Sequence, residues 1–306
     1  MKKSKISIII PHLNEWYYLD IMLDSFYNYI SYDNYEIIIV DDGSKNISHL
    51  DFINNHFLKD KIKLFKEKWL WLSKVKNFWA KNSSWDILIF LDSHMYIKDD
   101  ILSKINNIFI ENSNIDLLQP VIWSILEKDV KWEIYKIKDF NLDSTWDNSK
   151  NNDLLLETPN IAWWATIIKK EVFDKLWWFN QKFKKWWVED LEFSMRAWLS
   201  GYNCYLSKDI LINHYFKESF KNTTINSEDV LFNKIIFTLT CFNSIRKKNI
   251  LNKLKEYYWD IYDNIFNKIL KSQDINNFIE KQKRTFIYDD NWYFGKFKDY
   301  YLENFK

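Results

Sequence analysis

Three apolar runs, each broken off by charged or polar residues, constrain this chain more than any other feature. Ile6–Ile10 gives way to Pro11-His12-Leu13-Asn14-Glu15, Tyr35–Val40 to Asp41-Asp42-Gly43-Ser44, and Ile87–Leu91 to Asp92-Ser93-His94. Short runs rich in Ile and Val, bounded by turn formers, read as strands buried on both faces. Between the first two, Leu19, Met22, Leu23, Phe26, Tyr27 and Ile30 recur at helical spacing over Trp16–Ile30. Strands alternating with helices imply a mostly parallel sheet with helices on both faces. Ligands of such sheets bind beyond the carboxyl ends of the strands, where all three polar clusters fall.

Lys61–Phe65 reads as a further short strand, and Ser48–Phe57 and Trp71–Asn82 as helices. Asp99 or Asp100 is expected to cap a helix running to about Ile110. From Ile115 the rhythm changes. Leu117–Leu126, Trp132–Ile137 and Ala165–Ile168 read as strands, Glu171–Leu176 and Val188–Ser200 as helices, and Tyr202–Leu206 and Ile210–His214 as extended. Asp139–Asp153 is polar and irregular, a long loop expected to carry specificity. Beyond Asn226 the pattern is helical over Val230–Ser244, Ile250–Leu270 and Ile275–Lys283, and the aromatic, basic tail is expected to fold over the core. The expected organisation is an α/β domain over 1–225, with halves 1–114 and 115–225, and a helical extension over 226–306.

A length of 306 residues admits one large α/β domain with an appendage. The net charge of +1 supplies no field that demands nucleic acid. Two cysteines, Cys204 and Cys241, make no disulfide framework and fit a reducing compartment. Met1-Lys2-Lys3-Ser4-Lys5 followed by Ile6–Ile10 begins like a signal peptide, but Pro11–Glu15 ends the apolar run too early. No run approaches the ~18 apolar residues of a membrane span. A cytoplasmic location is expected, with contact of the basic aromatic tail at the inner face of a membrane left open. The oligomeric state is not legible.

Glycine occurs 3 times and tryptophan 17 times. Average usage predicts about 20 glycines in a chain of this length, the number that the two types make together. Scarce Pro and Arg with abundant Lys, Asn and Ile indicate an AT-rich gene, which lowers Gly but does not raise Trp. Many tryptophans fall at turn sites, among them the pairs Trp163-Trp164, Trp177-Trp178 and Trp186-Trp187. Turns with positive φ accept Gly and reject bulky residues. Many of these positions are therefore read as glycines encoded by UGA and written as Trp; the alternative is a Trp-rich chain.

Asp92 and His94, two residues apart on an extended segment, point to the same side and can reach one metal ion. Carboxylate with imidazole suits Mn²⁺ better than an all-oxygen Mg²⁺ site. The bland alternative makes Asp92 a helix cap and His94 a surface residue. Asp41-Asp42-Gly43-Ser44 could equally be a plain turn, and Glu15, Glu189 and Asp190 could be acids placed for a helix dipole. His12 is read as a strand-end residue, His49 and His56 as surface.

Taken in order, Ile10-Pro11-His12-Leu13-Asn14-Glu15, Val40-Asp41-Asp42-Gly43-Ser44, Trp71-Leu72-Ser73-Lys74-Val75-Lys76-Asn77-Phe78-Trp79 and Asp92-Ser93-His94 resemble the nucleotide-sugar half of family 2-type glycosyltransferases with the GT-A fold. With Gly at 71 and 79, the third segment resembles that family's Gly-Leu-Ser-x-Ala-Arg-Asn-x-Gly helix start, Lys76 standing in the Arg position. Thr158-Pro159-Asn160-Ile161-Ala162-Trp163-Trp164 resembles the Thr-Pro-x-x-Ala-Gly-Gly segment of polypeptide N-acetylgalactosaminyltransferases. Leu176-Trp177-Trp178-Phe179 resembles a Leu-Gly-Gly-Phe step. Trp186-Trp187-Val188-Glu189-Asp190-Leu191-Glu192 resembles Trp-Gly-Gly-Glu-Asn-Leu-Glu, with Trp186 a true Trp and Trp187 a Gly. The resemblance covers roughly residues 5–220.

It implies a Rossmann-like mixed sheet and transfer of a sugar (GalNAc, GlcNAc or hexose) from a UDP-sugar to a glycan or polypeptide acceptor. It implies a divalent cation, Mn²⁺ foremost, on Asp92, His94 and the distant His214. It places Asp42 rather than Asp41 against the uracil ring N–H, and Pro11, Asn14, Glu15 and Ser93 around the nucleotide-sugar. Lys76 would face the diphosphate, with a solvated helix lysine as the alternative. Asp190, with Glu189 beside it, falls on the acceptor side; the Glu-Asp pair resembles inverting members and the metal motif retaining ones, so stereochemistry stays open. Two rival readings stand beside this one. A nucleotidyltransferase needs a glycine-rich loop after the first strand, which Pro11–Glu15 is not. A catalytically dead sugar-nucleotide-binding or scaffold protein has no need of intact Asp92, His94 and His214.

Overall fold

The computed structural model describes residues 3–67, 76–78, 80, 83, 85–127, 130–162, 164–185, 187–216, 226–301 and 305. The three apolar runs are strands: β1 (Ile6–His12), β2 (Tyr35–Asp41) and β4 (Ile87–Leu91), with β3 (Ile62–Lys66) at the edge. β1 pairs in parallel with both β2 and β4, and β2 with β3. Helix α1 (Trp16–Tyr29) buries Leu19, Met22, Leu23 and Phe26, while Tyr27, expected on that face, is exposed.

The two-residue repeat of each strand divides its side chains between two cores. Ile6, Ile8, Ile10, Ile37, Ile39, Ile87, Ile89 and Leu91 pack against α1 and α2 (Ile101–Glu111) on one face. Ile9, Ile38, Val40, Leu88 and Phe90 face the other core. Each fully buried side chain of this kind contributes roughly 1.5–3 kcal/mol, and the polar side chains buried among them are bonded, as where the Ser7 hydroxyl donates to Glu36 at 2.7 Å. Asp100 caps α2 as expected, its carboxylate accepting from the Ser103 N–H.

The second half adds β5 (Met95–Tyr96), β6 (Leu117–Ser124), β7 (Lys131–Trp132), β8 (Ile134–Ile137), β9 (Ser144–Asp147), β10 (Leu155–Glu157), β11 (Ala165–Lys169) and β12 (Cys204–His214). Among the described residues the main sheet runs β10-β12-β6-β11-β4-β1-β2-β3, and β5 pairs with β12. β11 is antiparallel to both β4 and β6, and β12 is parallel to β6, so the sheet is mixed.

Five local expectations need correction. Trp132–Ile137 is two strands, β7 paired with β6 and β8 paired with β9. Ser48–Phe57 is a 3₁₀ segment, Ile47–Asn55, rather than an α-helix. The two extended pieces at 202–214 are one strand with a register shift between Ser207 and Leu211, where a bulge breaks the pattern that would have joined them. The polar stretch 139–153 is not loop throughout: β9 pairs antiparallel with β8 as a hairpin. Ile250–Leu270 is two helices. Of the expected helix at 71–82, only 76–78 and 80 are described, and they are helical; Trp71–Val75, Trp79, Lys81 and Asn82 lie outside the described residues.

Helices α3 (Lys170–Lys175) and α4 (Glu189–Leu199) follow β11. Beyond 226 come α5 (Ser227–Cys241), α6 (Ser244–Tyr257), α7 (Tyr262–Lys271), α8 (Gln273–Lys283) and α9 (Asp290–Lys296). They share one core with the sheet face and α4, and Tyr293, Phe294, Phe297, Tyr301 and Phe305 of the tail are buried in it. No described helix is long and apolar enough to cross a membrane.

Positive φ marks Asn14, Leu142, Trp177 (61°), Trp178 (67°), Lys185, Trp187 (131°) and Val188 (58°). Three of these are tryptophans, at positions where the composition pointed to glycine. Trp198 is different: it is fully buried, and its indole N–H donates to the Thr158 carbonyl at 3.0 Å.

Candidate active site

β4 ends at Leu91, and Asp92, Ser93 and His94 form the turn into β5. The pair expected on an extended segment therefore converges through a chain reversal. β5 runs antiparallel to the end of β12 with His214 opposite Met95. This pairing carries a residue 120 positions distant back to the turn. Asp92 Oδ2 lies 3.9 Å from His94 Nε2 and 3.9 Å from His214 Nε2. One ligand atom from each residue falls within 4.8 Å of the others, and all three side chains are buried. A carboxylate with two imidazoles at this spacing fits a divalent cation of the Mn²⁺ type.

Glu15 sits at the N-cap position of α1 but makes no side-chain capping bond. Its Oε2 instead accepts from the Ser93 hydroxyl at 2.5 Å and contacts His94 Nδ1 at 2.9 Å. Neither Glu15 as a helix-dipole acid nor His94 as a surface residue describes this arrangement.

The ends of β1 and β2 are tied together. Asn14 N–H donates to Ser44 Oγ and Asn14 Oδ1 accepts from the Lys45 N–H, both at 2.8 Å. The Asp42 N–H donates to the His12 carbonyl at 2.9 Å. Asp41 is buried, and both its carboxylate oxygens accept from Ser44, one from the N–H at 3.2 Å and one from the hydroxyl. It is the staple of the turn, while Asp42 is half-buried beside it. His12, Asn14, Trp16, Ser44, Lys45 and Asn46 line a cleft of ≈ 200 Å³ here; Pro11, one residue before His12 on β1, is half-buried and in register with Val40. His56, expected at the surface, is buried and its Nδ1 accepts from the Leu58 N–H.

The acids at the start of α4 line a second cavity, of ≈ 170 Å³, with Tyr135, Ser144, Trp146, Trp164 and Trp187. Glu189 is 3% exposed. Burial, with the neighbouring Asp190 charge second, pushes its carboxyl up to about 7. Its Oε2 accepts from the Trp187 N–H, and its Oε1 has no hydrogen-bond partner among the described residues. Asp190 accepts from the Leu191 N–H at 2.8 Å and from the Tyr135 hydroxyl. Lys76 is no solvated lysine. It is 2% exposed, and burial lowers its ammonium to about 8 against the upward pull of Asp92, Glu189 and Asp190. It couples the metal-type cluster to the acids of α4. Trp164 bridges the same two regions: its carbonyl accepts from the Asp92 N–H at 3.3 Å and its ring lies 4.8 Å from that of His214.

Tyr135 and Ser144 carry no sequence signal for this position. Tyr135 lies in a strand that reads as ordinary core, and Ser144 in a stretch that reads as loop; only the β8–β9 hairpin brings them to α4.

The sequence model described as Glycosyl transferase family 2 matches residues 7–177, over half of the chain. The chain belongs to this glycosyltransferase family. Among curated proteins it is similar to the inactive polypeptide N-acetylgalactosaminyltransferase-like protein 5 of Macaca fascicularis, 22% identical over 84% of this chain and 59% of that protein. It is also similar to chondroitin synthase of Pasteurella multocida, 26% identical over 65% of this chain and 23% of that one. This family 2 chain thus spans less than two thirds of either relative. Among solved structures, GalNAc-T7, crystallised with UDP, GalNAc and Mn²⁺, superposes with a TM-score of 0.80 at 17% identity, over 97% of this chain and 57% of that one. The fold of this family 2 member is GT-A-like, a mixed sheet with helices and a helical C-terminal region.

Proposed function

We propose that the chain moves a hexose or N-acetylhexosamine from a UDP-sugar to a glycan or polypeptide hydroxyl, with a divalent cation held by Asp92, His94 and His214. The observation that carries this reading is the buried convergence of one carboxylate and two imidazoles within 4.8 Å at the carboxyl edge of the sheet. A cation bound there, Mn²⁺ foremost, would act as a Lewis acid toward the negative charge that grows on the departing diphosphate. GalNAc-T7 was crystallised with that ion and with UDP, which supports the same donor class here.

The chain's own residues divide the remaining work. The cleft between the β1 and β2 ends receives the base and ribose, with Pro11 and Asn14 at its wall. Asp42 accepts from the uracil N–H, since both oxygens of Asp41 are engaged by Ser44. Ser93 is tied to the loop after β1 through its hydroxyl, which donates to Glu15. Lys76 supplies positive charge between donor and acceptor sides. On the acceptor side Glu189 is the better-placed base: it offers an oxygen to the cavity and titrates near neutrality, while Asp190 is held by Tyr135. Chondroitin synthase among the relatives supports a glycan acceptor alongside a polypeptide one. Two buried free thiols support a reducing, cytoplasmic setting.

We also infer that Trp177, Trp178 and Trp187 stand where the native protein has glycine, the reading that UGA decoded as Gly supplies. Their φ values of 61°, 67° and 131° support it. Intact mass of the protein from its native source checks this: each such site leaves it lighter than the printed sequence requires, and a match to the printed sequence overturns it.

A panel of UDP-sugars with Mn²⁺, offered to protein carrying Gly at these sites, tests the activity. Metal-dependent donor hydrolysis or transfer is expected. No turnover together with metal-independent UDP binding would instead identify a dead sugar-nucleotide-binding protein.

A further inference from the structure

We propose that Glu15 is a positioning residue for the cation site: it holds the His94 imidazole in the Nδ1–H tautomer, with Nε2 aimed at Asp92 and His214. The proposal rests on reading those three residues as cation ligands. Glu15 belongs to none of the polar clusters around β4, being contributed by the loop after β1.

The proton inventory decides the tautomer. An ionised carboxylate only accepts hydrogen bonds. Glu15 Oε2 receives the Ser93 hydroxyl at 2.5 Å and lies 2.9 Å from His94 Nδ1, so the Nδ1 position carries a hydrogen. The lone pair is thereby left on Nε2. That atom is buried, has no hydrogen-bond partner among the described residues, and lies 3.9 Å from Asp92 Oδ2. A carboxylate behind the ring also fixes the ring's orientation. Ser93 adds a second constraint: by bonding the same oxygen it fixes the carboxylate against the turn that carries both Asp92 and His94. The side chain makes no capping bond to α1, so helix termination does not account for its direction.

Two readouts test this on the full chain. In metal-free, ¹⁵N-histidine-labelled protein at mildly alkaline pH, long-range NMR correlations assign the His94 tautomer, and Mn²⁺ titration followed by electron paramagnetic resonance in the presence of UDP gives affinity. Wild type is expected to show Nδ1–H. E15A is expected to lose that tautomer and to bind Mn²⁺ about 10- to 100-fold more weakly, the usual cost of removing such a partner. E15Q retains an acceptor oxygen and is expected to keep the tautomer with intermediate affinity; it carries the test should E15A not fold. D92N is expected to abolish Mn²⁺ binding while leaving the tautomer unchanged.

Wild-type tautomer and affinity in E15A and E15Q, with D92N defective, would overturn the role of Glu15 alone. Absence of Mn²⁺ binding by wild type would overturn the cation site and, with it, this role. An Nε2–H tautomer in wild type would overturn the proposal directly.

Discussion

Lys76, Glu189 and Asp190 form a charge cluster in which Asp190 raises the Glu189 carboxyl and both acids raise the Lys76 ammonium against its burial. Lys76 lowers the Glu189 carboxyl against the larger effects of burial and Asp190, which leave it near 7. If ionised Glu189 is the base, kcat/KM falls as pH drops through about 7. K76M removes a cation that lowers that value, so the acid limb should move to higher pH; a limb that stays put or moves down refutes the coupling. The stability sign is opposite to that of an ordinary carboxylate. Glu189 binds its proton more tightly folded than unfolded, so its contribution is present below the unfolded value near 4.3 and is lost as pH rises through about 7. E189Q should therefore raise the melting temperature at pH 8 by more than at pH 5, by ~1–3 kcal/mol in free energy. For the cation site, H214A should reduce metal-dependent turnover on the order of 100-fold, because transition-state charge loses several kcal/mol of stabilisation. Asp92 and His94 are neighbours in the chain and legible as a pair. His214 is legible only through family resemblance, because nothing local says which strand end returns to theirs. Tyr135 had no signal at all, since its hydroxyl matters only once a hairpin has been folded onto α4.

At the scale of single elements, the strands are the most readable features, because largely apolar runs between turn formers allow little else. Misread elements were those where pattern and geometry part. The bulge in β12 puts Ser207 to Ile210 out of step with the flanking alternation, and Asp139–Asp153 hides a strand whose residues are polar because its hairpin is half-exposed. The turn at 176–178, and Lys185, Trp187 and Val188 with their positive φ, are features of their own. Buried Arg196 donates to the Leu176 and Trp178 carbonyls and pairs with Glu192 at 2.8 Å, which pins the backbone on either side of Trp177. The turn thus keeps positive φ whatever side chain stands there. W177G and W187G should each raise stability by ~1–3 kcal/mol, the cost of a non-glycine residue held in a sparsely populated backbone region, read as a higher urea midpoint at unchanged slope. W198G is the opposing control. That ring fills the core and bonds Thr158, and its loss should cost ~3–5 kcal/mol or more. Equal losses at all three positions would refute the glycine reading.

For the whole molecule, the helices beyond 226 are more than an appendage laid over the core. One face of α5 reaches both walls of the acceptor-side cavity. Asn233, fully buried, accepts from the Lys184 N–H at 2.8 Å and donates to the Lys184 and Trp187 carbonyls at 2.9 and 3.3 Å, which fixes the loop leading into Glu189. Lys234, also buried, pairs with Asp143 at 2.7 Å, next to Leu142 on the opposite wall. The sequence shows α5 as one more apolar helix, and Asn233 and Lys234 as polar interruptions of it; their meaning appears only when the two loops are placed against them. N233A leaves the loop's N–H and carbonyls without partners, a loss of about 1–3 kcal/mol for each buried group left unsatisfied. Because the cation cluster and the β1–β2 cleft lie on other elements, UDP and Mn²⁺ binding should be unchanged. Transfer to the acceptor should fall relative to hydrolysis of the donor, as Glu189 loses its fixed position. Equal loss of donor binding and transfer in N233A would mean that α5 supports the fold as a whole rather than this wall of the site.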